Sequence, residues 1–221
     1  MNGIDFNHFN DCYSEASTDE LSNFIILVAD ACDRESVNLL KAVWLSHIHD
    51  DMVINGYFNR YIMAGTGFPL EHNILNKKIS MYFCIGSLIH KYESGKIHYQ
   101  KMMFSDIKEL VYYTEMGSDH LDEHYMDTPI LAVQMPVMDD TMIRQFAVVD
   151  GNHRMSAAKR LGLNIEITVI ADNFLPPDVF MNNTSWILYN FLIGLYSLQL
   201  GLVRDDLYLS SLNGILDTFI I

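Results

Sequence analysis

Three observations along the chain predict an α+β fold. Phe146–Gly162 reads as a short apolar strand, a polar turn, a helix and a glycine at the C-cap position, with a further apolar run at Ile165–Ile170 behind it. Strand-length apolar runs also occupy Ile130–Met135 and Ile143–Val149. On either side of this region lie helix caps and longer apolar segments without strand alternation. The architecture that follows is a small α/β core with helical N- and C-terminal extensions.

Taken in order, Thr18-Asp-Glu supplies an N-cap and first-turn acids for a helix to about Cys32, and Ser36 caps a second helix through Ile48. Asn55–Pro69, with three glycines and a proline, reads as a loop. A third helix is expected from Ile79 to Tyr92, closed at Gly95. Residues 1–94 are therefore expected to be mainly helical. Lys96–Met102 alternates like a strand, and Ser105 offers a cap for a helix through Glu115. An acidic loop, Gly117–Thr128, leads to the strand Ile130–Met135. A turn at Asp139-Asp140 joins this to the next strand, then the motif helix from about Arg154 to Leu161, then the strand Ile165–Ile170. This makes residues 95–173 the core. Pro176-Pro177 punctuates the exit, and 174–221 is expected to be helical and packed on the core.

With half its residues apolar and 19% charged, the 221-residue chain is long enough to bury a sizeable core. The charge balance is lopsided: 28 acidic residues face 14 lysines and arginines, a net charge of −14. Proteins that bind DNA through its backbone neutralise phosphates with clustered cations, so this balance argues against nucleic acid. It suits solubility or a basic protein partner. Arg144, Arg154, Lys159 and Arg160 are an exception, clustered within 17 residues. They read either as a solvated helix face or as positive charge kept where an anion docks. Three cysteines without a C-x-x-C spacing give no zinc or redox motif and suit a reducing cytoplasm. Met1–Phe6 has neither a basic region nor an apolar one, so no signal peptide is expected. Val179–Val203 carries no charge and Trp186–Val203 is strongly apolar. A buried helix and a membrane segment compete for it. Its asparagines, Ser197, Gln199, two glycines, the acidic Asp205-Asp206 close behind and the lack of a positive-inside signal favour the buried helix.

The turn Asp150-Gly-Asn-His-Arg154 concentrates chemistry. Small residues Ser156, Ala157 and Ala158 follow it, and the free N–H groups of a helix start beside an arginine form an anion site. Arg154 has the fork to hold a phosphate bidentately, and His153 is a second donor or proton carrier. Asp150 is the natural Mg²⁺ ligand or general base, and Gly151 lets backbone approach a ligand. The competing reading is a tight turn in which Asp150 caps and Arg154 makes a salt bridge.

The segment Asp-Gly-Asn-His-Arg-x-x-Ala-Ala-x-x-x-Gly, with Pro129–Val133 before it and Ile165–Ile170 after it, resembles the ParB/sulfiredoxin-like superfamily over roughly residues 96–172. That resemblance implies a helix-N-terminal turn that binds the phosphates of ATP, ADP or CTP, usually with Mg²⁺. The residues concerned would be Gly151, Asn152, His153, Arg154, Ser156 and Ala157, with Asp150 on the metal and Asp150 and His153 as catalytic groups. The Asp-Gly-x-His-Arg form is similar to members that transfer phosphate to a small hydroxyl compound, which implies a phosphotransferase or NTPase. An upstream glutamate would be the base, with Glu109, Glu115 and Glu123 as candidates. Two departures matter. Asn152 stands where sulfiredoxins carry their catalytic cysteine, which excludes thiolate chemistry. Residues 174–221 hold one arginine and no lysine, so the DNA-reading half of ParB proteins has no counterpart.

Two other clusters compete. His47, His49 and Asp51 resemble the H-x-H-x-D of metallo-β-lactamase-like hydrolases, though Met52 replaces the next histidine. Asp119-His-Leu-Asp-Glu-His124 is polar enough for a divalent ion or a lid, but reads as a solvated loop. The expectation is thus a cytoplasmic nucleotide-binding protein. The alternative is a non-catalytic acidic interaction or immunity protein that neutralises a basic partner.

Overall fold

The computed structural model describes residues 15–48, 67–116, 129–136 and 144–219. In chain order they form helices α1 (Thr18–Asp30) and α2 (Glu35–His47), strands β1 (Gly67–Ile74) and β2 (Lys77–Cys84), and α3 (Ile85–Glu93). Next come β3 (Tyr99–Met103), the short α4 (Phe104–Ile107), β4 (Val111–Tyr112), β5 (Ile130–Met135) and β6 (Gln145–Asp150). Helix α5 (Asn152–Leu161), β7 (Glu166–Ile170), a 3-10 turn (Pro177–Val179), α6 (Asn183–Gln199) and α7 (Asp205–Phe219) complete them. The fold is α+β, as expected. Its residues group into two compact units, one of 1–87 with 173–221 and one of 88–172. The expected third region, 174–221, therefore clusters with the N-terminal residues.

The first unit is built around α6, which is buried on every side from Thr184 to Leu198. Such a helix needs no polar face, and this accounts for the uncharged stretch. Its end charges come from distant residues. Glu15 accepts from the Asn183 and Thr184 N–H groups, both at 2.8 Å, at the N-terminus. Arg34 donates to the carbonyls of Leu198 and Gln199 at the C-terminus. Each charge opposes the helix dipole correctly, from outside the sequence window a hydropathy reading scans. No helix among the described residues is long and apolar enough to cross a membrane.

The helix expected from Ile79 to Tyr92 is β2 up to Cys84 and becomes α3 only after it, so 1–94 is interrupted by a hairpin. Strands β1 and β2 pair antiparallel through the two-residue turn Leu75-Asn76, both with positive φ, the geometry that matches strand twist. Leucine is unusual there, which hid the turn. Tertiary pairing then overrides a sequence of mixed propensity. The outer edge of β2 is also covered: Met181 N–H donates to the Tyr82 carbonyl and Tyr82 N–H to Ser185 Oγ, both at 2.9 Å.

The second unit carries a five-stranded sheet in the order β3-β7-β5-β6-β4. Pairs β5–β7 and β4–β6 are parallel, while β3–β7 and β5–β6 are antiparallel. Ile107, Val111, Ile130, Ala132, Phe146, Val148, Ile167 and Val169 form its core with Met155 of α5. The helix expected from Ser105 to Glu115 is not formed. Only Phe104–Ile107 is helical, and β4 follows. Ser105 is not a cap: its N–H donates to Asn164 Oδ1 at 2.9 Å and its hydroxyl to Asp106. Val111, Tyr112 and Tyr113 favour strand, and Val111 and Tyr112 pair with Phe146 and Ala147. The strands expected at 130–135, 143–149 and 165–170 and the helix before Gly162 all form, within a residue or two. Asp139-Asp140 and the loop 117–128 lie outside the described residues.

Candidate functional site

Strand β6 delivers Asp150 to the sheet end, and Gly151 turns the chain into α5 with φ 94° and ψ 19°. That left-handed conformation suits glycine. Space requires it too, because a Cβ at Gly151 would lie 2.9 Å from Arg154 Nη2, 3.0 Å from its Nε and 3.0 Å from Ile130 Cγ1. No side chain caps the N-terminus of α5. Its first-turn N–H groups are thus left without the usual Ser, Asp or Asn cap. At the other end Gly162, with φ 65°, closes the helix as expected, and Leu163 N–H reaches the Ala158 carbonyl at 2.9 Å.

Arg154 is buried, and its Nη2 donates to Asp150 Oδ2 at 2.8 Å. The pair is lopsided in exposure: the Arg154 side chain is 5% exposed and that of Asp150 32%. Arg154 Nε is buried with no hydrogen-bond partner. An unmet donor on a cationic fork is costly, and it marks where an anion would be welcome.

Asn152 and Ser156 were expected at the phosphates, and both are committed to the backbone. Asn152 donates from Nδ2 to the Val148 carbonyl at 3.1 Å and accepts the Thr114 N–H at 2.8 Å. Ser156 donates to the Asn152 carbonyl at 2.8 Å and accepts the Met116 N–H at 2.9 Å. Together they stitch residues 114–116 along α5, a role that sequence spacing gave no sign of. Ala157 is buried, and His153 is exposed beside the turn.

The stitched segment also sorts the upstream glutamates. Glu115 accepts from Lys159 Nζ at 2.6 Å, which brings it against α5. This bond holds the Glu115 carboxyl below its ordinary range and, with a further contribution from Tyr113, raises the Lys159 ammonium above its own. The Lys159 ammonium lies 5.5 Å from the Tyr113 ring centre. Glu109 is exposed and lies 3.8 Å from Lys108; Glu123 is outside the described residues. Glu115, Met116, Ser156, Lys159 and Arg160 line a cavity of about 300 Å³ on this side of α5.

Among the described residues no three His, Cys, Asp or Glu side chains converge as a metal group would require. His47 has both ring nitrogens engaged, Nδ1 at 2.8 Å from the Val43 carbonyl and Nε2 at 3.0 Å from Asp217 Oδ1. His49, Asp51 and the cluster at 119–124 lie outside the described residues. No family model, curated protein or solved structure matches the chain.

Proposed function

We propose that residues 88–172 form a nucleotide-binding module that holds phosphate at the N-terminus of α5. The observation that carries this reading is the buried Arg154, whose Nε has no acceptor, set against Gly151 at an uncapped helix start. Helix dipole, first-turn N–H groups and guanidinium all favour a bound anion at that point. ATP, ADP or CTP would bring the phosphates. Mg²⁺ fits as an ion carried by those phosphates with Asp150 as its one protein carboxylate, since this ion commonly keeps few protein ligands. It would neutralise phosphate charge. His153, exposed beside the turn, is the proton carrier or second donor of this reading, and Glu115 the upstream carboxylate that the fold brings to α5. Phosphate transfer or NTP hydrolysis is the chemistry these groups suit. Titration calorimetry with ATP, ADP and CTP, each with Mg²⁺, tests the proposal. Binding of one of them supports it, and silence with all three contradicts it.

A second reading has its own observation. With a net charge of −14, and with Arg154 held by Asp150, the turn serves as structure and the acidic surface as a docking face for a basic protein. That reading predicts a salt-sensitive complex indifferent to Arg154→Ala. Recovery of no basic partner in a low-salt pull-down contradicts it.

A further inference from the structure

We infer that Asp150 is an internal competitor for the anion on Arg154, so that a polyphosphate can dock only as the Asp150 carboxylate lets go. The inference rests on the phosphate reading of this turn and adds its regulation.

The geometry behind it is an unequal pair. A guanidinium offers a planar fork, and an ideal carboxylate or phosphate partner takes two of its donors side by side. Asp150 takes one, Nη2, and leaves the neighbouring Nε buried and unmet. That Nε and Nη2 edge lies against the one residue of the turn with no side chain to cover it. The carboxylate comes from Asp150, directly before Gly151, so it sits i to i+4 from its partner without any long-range tether. Being a third exposed, it is the member of the pair that can swing to solvent at little cost; the buried Arg154 is not.

A phosphoryl group outmatches this partner in charge and in number of acceptor oxygens, and can satisfy both donors. When it does, a carboxylate is released beside a polyanion. The two repel unless a cation joins them. The device therefore keeps the arginine neutralised when no ligand is present, at the expense of affinity: part of the phosphate's binding energy goes into parting Asp150 from Arg154.

The experiment is calorimetric titration of inorganic tripolyphosphate, with divalent ions chelated, into wild type, Asp150→Asn and Asp150→Ser, each checked for folding by circular dichroism. Both variants are expected to bind about tenfold more tightly than wild type, the effect of removing a competing partner worth one decade. Equal or weaker binding by folded variants overturns the inference while leaving the phosphate site standing. If no protein binds, the inference is overturned as well, and the phosphate reading is decided separately by the Mg²⁺–nucleotide titrations. Wild type alone gives an independent readout through the carboxyl ¹³C resonance of Asp150. Tripolyphosphate is expected to shift it as the ion pair parts. Saturating binding with an unmoved resonance overturns the inference whether or not the variants fold.

Discussion

Gly151 meets two demands at once, a positive φ and the absence of a Cβ where Arg154 and Ile130 close in. Gly151→Ala is therefore expected to lower stability by about 1–3 kcal/mol, read from urea unfolding, because it adds left-handed strain to a steric clash. A variant as stable as wild type would mean the turn relaxes freely. Asn152 is the companion case. Its side chain bonds both Val148 and Thr114, so Asn152→Ala removes both bonds and takes the acceptor from the Thr114 N–H, and about 1–3 kcal/mol should be lost. The exposed Glu115–Lys159 bond makes a titration prediction instead. Glu115 is held below its ordinary value, so the bond contributes above the usual carboxylate range and fades as pH falls through the lowered value. Lys159→Ala should return the Glu115 carboxyl to its ordinary midpoint in a ¹³C titration; an unchanged midpoint would assign the shift elsewhere.

Among the elements, α6 shows how a fold hides its reasons from a local reading. Its charge-free run is compatible with a membrane or a core when read alone. The decisive residues, Glu15 and Arg34, lie more than 140 positions away in sequence and cap its two ends. Gly194 adds a packing test. A Cβ there would stand 2.4 Å from Tyr208 Oη but 3.2 Å from its Cζ. The Tyr208 hydroxyl is buried with no hydrogen-bond partner, and burial pushes its ionisation upward. Tyr208→Phe should thus be neutral or stabilising, and Gly194→Ala destabilising by about 1–3 kcal/mol, with the double variant recovering part of the loss. Strict additivity in thermal melts would rule out this contact between Gly194 and Tyr208. Elements that declare themselves locally were legible: β5, β6, α5, its Gly162 cap and β7 follow from apolar runs and one glycine. The β1–β2 hairpin and β4 were not, because Leu75-Asn76 is an atypical turn and β4 exists only through pairing with β6.

For the molecule as a whole, composition made the acidic character legible and argued against a DNA-binding surface, while the fold brought Asp150, Gly151 and Arg154 together at the end of β6 as their spacing suggested. Burial was not legible. Five adjacent residues look alike on paper, but Arg154 is enclosed, His153 is exposed and Asn152 is turned to the backbone. Those differences decide which groups the proposed site would offer an anion. In the proposed phosphate site the central role falls to one guanidinium, whose fork lysine cannot copy. The most direct measurement is calorimetric titration of Mg²⁺–ATP, Mg²⁺–ADP and Mg²⁺–CTP into wild type and into folded Arg154→Lys. Binding of a nucleotide by wild type, weakened at least about tenfold by the lysine, is the predicted result. Undetectable binding by wild type, or equal affinity in both proteins, would contradict a phosphate site built on Arg154.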